Sequence, residues 1–417
     1  MRNLCVMNNK TLVVIGGGAA GFFCAVNAAR MNPLLKVIIV EKSSKLLSKV
    51  RVSGGGRCNV THACFDINEL IKFYPRGKNF LKKTFHWFNP ANTIQWFEER
   101  GVQLKTEGDG RIFPATNNSE TIIHCLLSEA NKYGVEIILQ TEVTGIVSEE
   151  EGFSVQLSNN RSVQAGFICV ACGGFAKAEQ FGWLKQLGHS IELPVPSLFT
   201  FNVPDNAVTQ LMGVAVPGAG VKITGTKLSE EGALLITHWG FSGPAVLRLS
   251  AWGARELADR NYHFTILINW LTDYNEHSLR EEWPMLRQQY AANRMNSKNP
   301  FGLPNRLWLY LLSIANIKEE WRWADVPVKE QNLLIQSLTA QNFEVKGKTT
   351  FKEEFVTCGG IKLNEIDANT MQSKLKKGVF FAGEIMDVDG ITGGFNFQHA
   401  WTSGWIAAKA ISGMNNG

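Results

Sequence analysis

The chain has 417 residues, 45% of them hydrophobic and 19% charged, and a formal net charge of +5. That length predicts two or three domains, and the ordinary composition excludes extended disorder. No apolar run approaches the ~20 residues of a membrane helix, and glycines cut the apolar stretch after Lys10 too soon for a secretory leader, so a cytoplasmic protein is expected.

Residues 11–15, Thr-Leu-Val-Val-Ile, read as a buried parallel strand. Gly16-Gly17-Gly18-Ala19-Ala20-Gly21 follows at once. A helix over 22–31 and a second apolar strand over 36–41, ending in Glu41, complete one βαβ unit. Asn89-Pro90 opens a helix that Gly101 ends, and Ser119-Glu120 opens another that runs to 133. Strands are expected near 135–140 and through 143–170, the last ending at Gly173-Gly174. From Pro194 onward, prolines and glycines punctuate short apolar segments, which predicts antiparallel strands and a small barrel. Residues 276–342 are polar, rich in Trp, Arg, Glu and Gln, and read as helical. Strands and glycines then return, followed by a final helix over 397–411. The predicted fold class is α/β. A Rossmann-like domain is made of 1–194 and 351–417, with a β-barrel (195–275) and a helical subdomain (276–350) inserted into it.

The eight cysteines, at 5, 24, 58, 64, 125, 169, 172 and 358, are scattered. Cys169 and Cys172 sit three apart and are read in a buried strand and its end. Reduced thiols and no metal site are expected. Between Lys42 and Lys83 stand ten basic residues against Asp66 and Glu69. Such a block faces a polyanion or forms a solvated surface that helps hold phosphates.

Five motifs carry chemistry. In Gly16-x-Gly18-x-x-Gly21, the first glycine permits the tight turn, the second lets the backbone approach a pyrophosphate, and the third packs the helix on the strand. The helix start at Ala19 and Ala20 offers N–H groups to the phosphates, and Glu41, beside Lys42, suits a ribose diol. Ser53-Gly54-Gly55-Gly56-Arg57-Cys58-Asn59-Val60-Thr61 forms an anion-seeking loop whose positive setting is expected to lower the Cys58 thiol pKa. Cys58 has two readings, a thiol near the reacting face or a small packed residue. Ala171-Cys172-Gly173-Gly174 lets a second loop approach a dinucleotide or simply ends a strand. In Thr237-His238-Trp239-Gly240-Phe241-Ser242-Gly243-Pro244, His238 is a proton donor or a structural histidine. Finally, Thr357-Cys358-Gly359-Gly360-Ile361 precedes a strand that ends in Gly383-Glu384. Asp387, Asp389 and Gly390 follow, then Gly393-Gly394-Phe395-Asn396 at the head of the last helix. A helix start there stabilises negative charge on a reduced flavin ring.

Together, GGGAAG, SGGGRCNVT, GRIFP (110–114), THWGFSGPA, VTCGGI, FAGEIMDVDG and GGFNFQHA resemble the BaiN/YhiN-like flavoproteins, also labelled the aminoacetone-oxidase family of FAD-binding enzymes. The resemblance runs nearly end to end. It implies a FAD/NAD(P)-binding domain, FAD as cofactor and NAD(P)H as a transient reductant. The implied FAD contacts are Gly16, Gly18, Ala19, Ala20, Gly21, Glu41, Lys42, Arg57, Cys58, Asn59, Val143, Ala171, Cys172, Gly173, Gly174, Gly383, Glu384, Asp389, Gly394, Phe395 and Asn396. Cys58 and His238 are the proton-donor candidates. Here Leu47-Ser48-Lys49, Cys172 and His399 depart from the common pattern. The implied reactions are reduction of uridine in large-subunit ribosomal RNA, reduction of bile-acid intermediates, and oxidation of an aminoketone. The basic block and the Trp/Arg-rich insert point toward RNA, whether as substrate or as the partner of a ribosome-associated binding protein that uses FAD structurally, although tryptophans in such a segment more often fill cores.

Overall fold

The structure is a computed structural model that describes residues 10–349 and 356–414. Cys5 and the expected boundary at 350/351 lie outside the described residues. The chain divides into two compact units, 1–196 with 352–417, and 197–351.

The first unit is built on β1 (Thr11–Ile15), β2 (Lys36–Val40), β3 (Glu136–Ile138), β4 (Phe167–Val170) and β5 (Val379–Phe381). All five are parallel, in the order β5-β4-β1-β2-β3. The β-branched runs explain this, because a strand covered on both faces must be apolar throughout. Leu12, Val13 and Val14 are fully buried. Helix α1 (Ala19–Met31) begins three residues before the expected start, directly after Gly18. Gly21 therefore lies inside its first turn. Helix α2 (Phe395–Met414) begins two residues early, because Gly393 and Gly394 hold left-handed φ angles (132° and 94°) and the helix starts immediately after them. The two helices cross closely. A Cβ on Gly404 would lie 2.7 Å from the Ala20 carbonyl oxygen and 3.1 Å from the Cys24 amide nitrogen. Phe23 packs against Trp401 there, with ring centroids 5.2 Å apart. An antiparallel three-stranded sheet over Val143–Ser148, Phe153–Leu157 and Ser162–Ala165 supplies the strands expected before β4.

The second unit is a seven-stranded antiparallel sheet with helices Glu276–Gln289, Asn305–Ile314 and Val328–Thr339. Sheet and helices share one core: Phe241, Ile266 and Trp270 from the sheet side join Trp283, Trp308, Trp323 and Leu338. Of the two readings of the insert's tryptophans, the core reading holds for Trp283, Trp308 and Trp323, which are at most 1% exposed. Burial of such large apolar surface is what binds the helices to the sheet. No helix among the described residues is long and apolar enough to cross a membrane. None of their His, Cys, Asp and Glu groups is placed to hold a metal ion.

Candidate functional site

Because the five strands of the first unit are parallel, their carboxyl ends share one edge. Open α/β sheets bind ligands along such an edge. Four of the five strands end there in a motif noted above.

At the end of β1, Gly16 has φ +112°, and a Cβ on it would lie 2.5 Å from the Ala171 carbonyl oxygen. A Cβ on Gly21 would lie 2.0 Å from the Gly16 carbonyl oxygen, whereas Gly18 has no atom within 4 Å of that position. Two glycines thus permit close approach within the protein, and the third leaves the start of α1 uncovered. The first helical hydrogen bond runs from Phe22 to Gly18 (2.9 Å), so the N–H groups of Ala19, Ala20 and Gly21 precede it.

At the end of β2, the Glu41 carboxylate accepts from the Gly17 and Ser43 amides, each at 2.8 Å. Each oxygen retains a lone pair for a hydroxyl donor. Lys42 is exposed beside it. Val143 lies two residues beyond Thr141, whose N–H reaches the Glu41 carbonyl at 3.0 Å.

At the end of β4, Ala171 donates to the Ile15 carbonyl (2.8 Å) and Gly173 is left-handed. Burial pushes the Cys172 thiol up to about 12. Gly174 leaves room for Thr357 and Glu384, since a Cβ on it would lie 2.4 Å from Thr357 Oγ1 and 2.9 Å from Glu384 Oε1.

At the end of β5, Glu384 accepts from the Thr357 amide (2.8 Å) and from Lys49 Nζ (2.6 Å). Two side chains of α2 hold the preceding glycine: Gly383 donates to Ser403 Oγ (2.9 Å), and its carbonyl faces His399 Nε2 (3.2 Å). Burial pushes the His399 pKa down to about 4. The ring is therefore neutral near pH 7, and Nε2 carries the proton donated to that carbonyl.

The start of α2 is fastened to the loop after Cys58. With its amide oxygen toward α2, Asn59 accepts from the Gly394 amide (2.9 Å) and donates to the Thr61 carbonyl (3.0 Å). Gln398 accepts from Thr61 Oγ1 (2.6 Å) and Thr93 Oγ1 (2.9 Å), while Tyr74 donates to the Phe395 carbonyl (2.7 Å). The Asn396 side chain exchanges two hydrogen bonds with the Gly390 backbone, at 2.8 and 2.9 Å.

One expectation changes here. Cys58 is fully buried with φ +61°, and desolvation pushes its thiol up to about 12 rather than down. The cation expected to lower it is turned elsewhere. The Arg57 guanidinium pairs with Glu107 (2.5 Å) and lies 4.0 Å from the centre of the Phe113 ring. Asp389, another expected contact, is fully buried and pairs with Arg76.

His238 belongs to the second unit. It is exposed, with its ring 3.9 Å from that of Trp239. Both line a cavity of about 290 Å³ with Met212, Leu235, Ile236 and Ser242. Half of the ten basic residues from 42 to 83 are paired: Lys49, Arg51, Arg57, Lys72 and Arg76 each face a carboxylate.

Lys49, Thr357, Gln398, His399 and Ser403 were not among the expected contacts. Lys49 and Glu384 are 335 positions apart, so no local pattern announces the pair.

A family model described as the HI0933-like protein Rossmann domain matches residues 10–410. The chain belongs to that family. It is 30% identical over 417 residues to a ribosomal RNA dihydrouridine synthase of Escherichia coli, covering 97% of this chain and 98% of that one. It is 24% identical over 416 residues to a 3-dehydro-bile acid delta(4,6)-reductase of Clostridium scindens, covering 96% and 98%. Among solved structures it is similar in fold to a flavocytochrome c3 fumarate reductase (TM-score 0.51, 16% identity, 98% of this chain and 79% of that one). It is also similar to a 3-ketosteroid delta1-dehydrogenase from Sterolibacterium denitrificans (TM-score 0.52, 12% identity, 97% and 100%). The flavoprotein family read from the motifs holds for this HI0933-like chain, as do the Rossmann-like fold and the oxidoreductase class.

Proposed function

We propose that this protein is a FAD-dependent reductase of an activated C=C bond, with a uridine of large-subunit ribosomal RNA as substrate and NAD(P)H as electron donor. The observation that carries the reading is the convergence of four strand-end motifs on one edge of a parallel sheet. The relatives named ribosomal RNA dihydrouridine synthase, matched over nearly their whole length, support the substrate.

The residues at that edge fit FAD. The uncovered start of α1 suits the diphosphate, and Glu41 suits the ribose hydroxyls. Glu384 suits the ribityl chain, and the start of α2, fastened by Asn59, suits the pyrimidine edge of the ring. When bound, FAD supplies two-electron transfer. The protein's part is then to place the substrate, exclude water and deliver a proton. Two donors are proposed. Cys58 keeps its proton at neutral pH because burial holds the thiol far above that range. His238 is exposed beside an aromatic ring.

The test is deletion of the gene followed by mapping of dihydrouridine in purified large-subunit ribosomal RNA. Loss of one site, restored by the wild-type gene, is expected; an unchanged map refutes the RNA substrate. Separately, NADH or NADPH is expected to bleach the bound flavin anaerobically, and failure of both removes the proposed electron source.

A second reading is reduction of an apolar small molecule. The relative named 3-dehydro-bile acid delta(4,6)-reductase, matched over nearly its whole length, favours it. Turnover of a steroid-like enone in place of RNA supports that reading.

A further inference from the structure

The pairing of the basic block leaves a specific question. If RNA is the substrate, its phosphates need cations that no carboxylate already holds. Lys82 and Lys83 are exposed, and no ion pair among the described residues involves them. They lie on and at the end of the helix Lys78–Thr84, whose chain turns directly into exposed His86 and Trp87.

Trp87 is 43% exposed, unlike the buried tryptophans of the second unit. Its indole N–H donates to Asn369 Oδ1 (3.3 Å), which fixes the plane of the ring. Trp405, on α2, stacks on Phe88 with centroids 5.3 Å apart and an interplanar angle of 28°. Lys409, one turn further along α2, places its ammonium 4.5 Å from the Trp87 ring centre and 5.2 Å from that of Trp405. Exposed Trp87 and half-buried Trp405 are thus bridged by one cation, and two more exposed lysines precede Trp87 by four and five positions in the chain. Flat rings stack on splayed bases, and lysines track the backbone, in surfaces that hold single-stranded nucleic acid.

We propose that Lys82, Lys83, His86, Trp87, Trp405 and Lys409 form the surface on which this protein holds the RNA strand flanking its target nucleotide. The proposal rests on the ribosomal RNA reading above. Ten residues of α2, about 15 Å of helix, separate Trp405 from Phe395 at the sheet edge. A strand with one base at that edge spans this distance with a few neighbouring nucleotides. Lysine charge and aromatic faces together fit an RNA better than an apolar protein partner, for which three exposed lysines are unfavourable.

The test uses full-length protein loaded with FAD and a fluorescent fragment of large-subunit ribosomal RNA, with binding measured across salt concentrations. Trp87→Ala is expected to weaken binding about tenfold. The double variant Lys82→Glu/Lys83→Glu is expected to weaken it further and to lower the salt slope by about 1.5. The control Lys222→Glu/Lys227→Glu, two exposed lysines of the second unit, is expected to bind as wild type does. Flavin absorbance and melting temperature report that each variant is folded. Wild-type affinity in the Trp87 and double-lysine variants overturns the surface while leaving the RNA reading intact. A wild-type protein that does not bind the RNA overturns the substrate reading and this surface together. A change of sedimentation in Trp87→Ala without RNA assigns the patch to self-association and also overturns the proposal.

Discussion

Lys49 and Glu384, 335 positions apart in the chain, meet at 2.6 Å at the carboxyl edge of the sheet. The second carboxylate oxygen takes the Thr357 amide at 2.8 Å. Together these bonds fix where the acid at the end of β5 points. Glu384→Gln is expected to weaken FAD binding about tenfold, the scale of one charge-assisted hydrogen bond. Lys49→Met is expected to do less, because its side chain is 46% exposed and solvent screens the pair. Equilibrium dialysis of flavin checks both, and unchanged retention in Glu384→Gln removes the acid from the cofactor site.

Gly16→Ala is expected to destabilise the protein by about 1–3 kcal/mol and to abolish flavin retention. The new methyl meets the Ala171 carbonyl, and φ +112° strains any other residue. Gly18→Ala separates the two effects. It has open space within the protein, so its expected defect is in FAD binding with the melting temperature nearly unchanged.

Gly404→Val tests the crossing of α1 and α2. The added side chain forces the helices apart at Ala20, with an expected loss of about 1–3 kcal/mol in denaturant unfolding. Because α1 starts at the glycine turn, the same variant is expected to release FAD.

His399 predicts an acid dependence. Burial depresses its pKa from 6.5 to about 4 in the folded chain. The unfolded chain takes up a proton first as pH falls, so this stability is present above 6.5 and is lost as pH falls through about 4, to a total of about 3 kcal/mol. His399→Phe is expected to flatten the acid limb of a melting-temperature profile over that window. An unchanged limb assigns acid sensitivity to other groups.

Cys58→Ala addresses proton delivery. If the thiol is the donor, turnover falls at least about 100-fold with flavin absorbance unchanged. Equal turnover leaves His238 as the proposed donor. The raised thiol also predicts a basic limb in stability. That contribution is present below 9.0 and is lost as the pH rises toward about 12, because the unfolded thiol ionises first.

Much of this was legible in the sequence because the signals are local. The strand at 11–15, the glycine turn and Glu41 fall within 31 residues, and backbone sterics fix what each glycine does. The same holds for Gly393-Gly394, although the left-handed pair starts the helix two residues earlier than apolar spacing suggests. The polar partners were not legible. Arg57 stands in a glycine-rich basic loop, but its guanidinium goes to Glu107, fifty positions away, and the thiol beside it is governed by burial instead. The partner of Asp389 is Arg76, 313 positions away, and no local pattern announces it. Tryptophan content alone did not separate Trp308, at 0% exposure, from Trp87, at 43%.

The strand order has a consequence for biosynthesis. β5 hydrogen-bonds to β4 across the whole of residues 197–351, and α2 follows β5. During translation the second unit is therefore complete before the cofactor edge exists. Glu384, Gly394 and the helix start behind them are made only after it. A nascent chain stalled before β5 carries the glycine turn and Glu41 but lacks the strand and helix that complete the edge, so the edge forms only after residues 197–351 have been made.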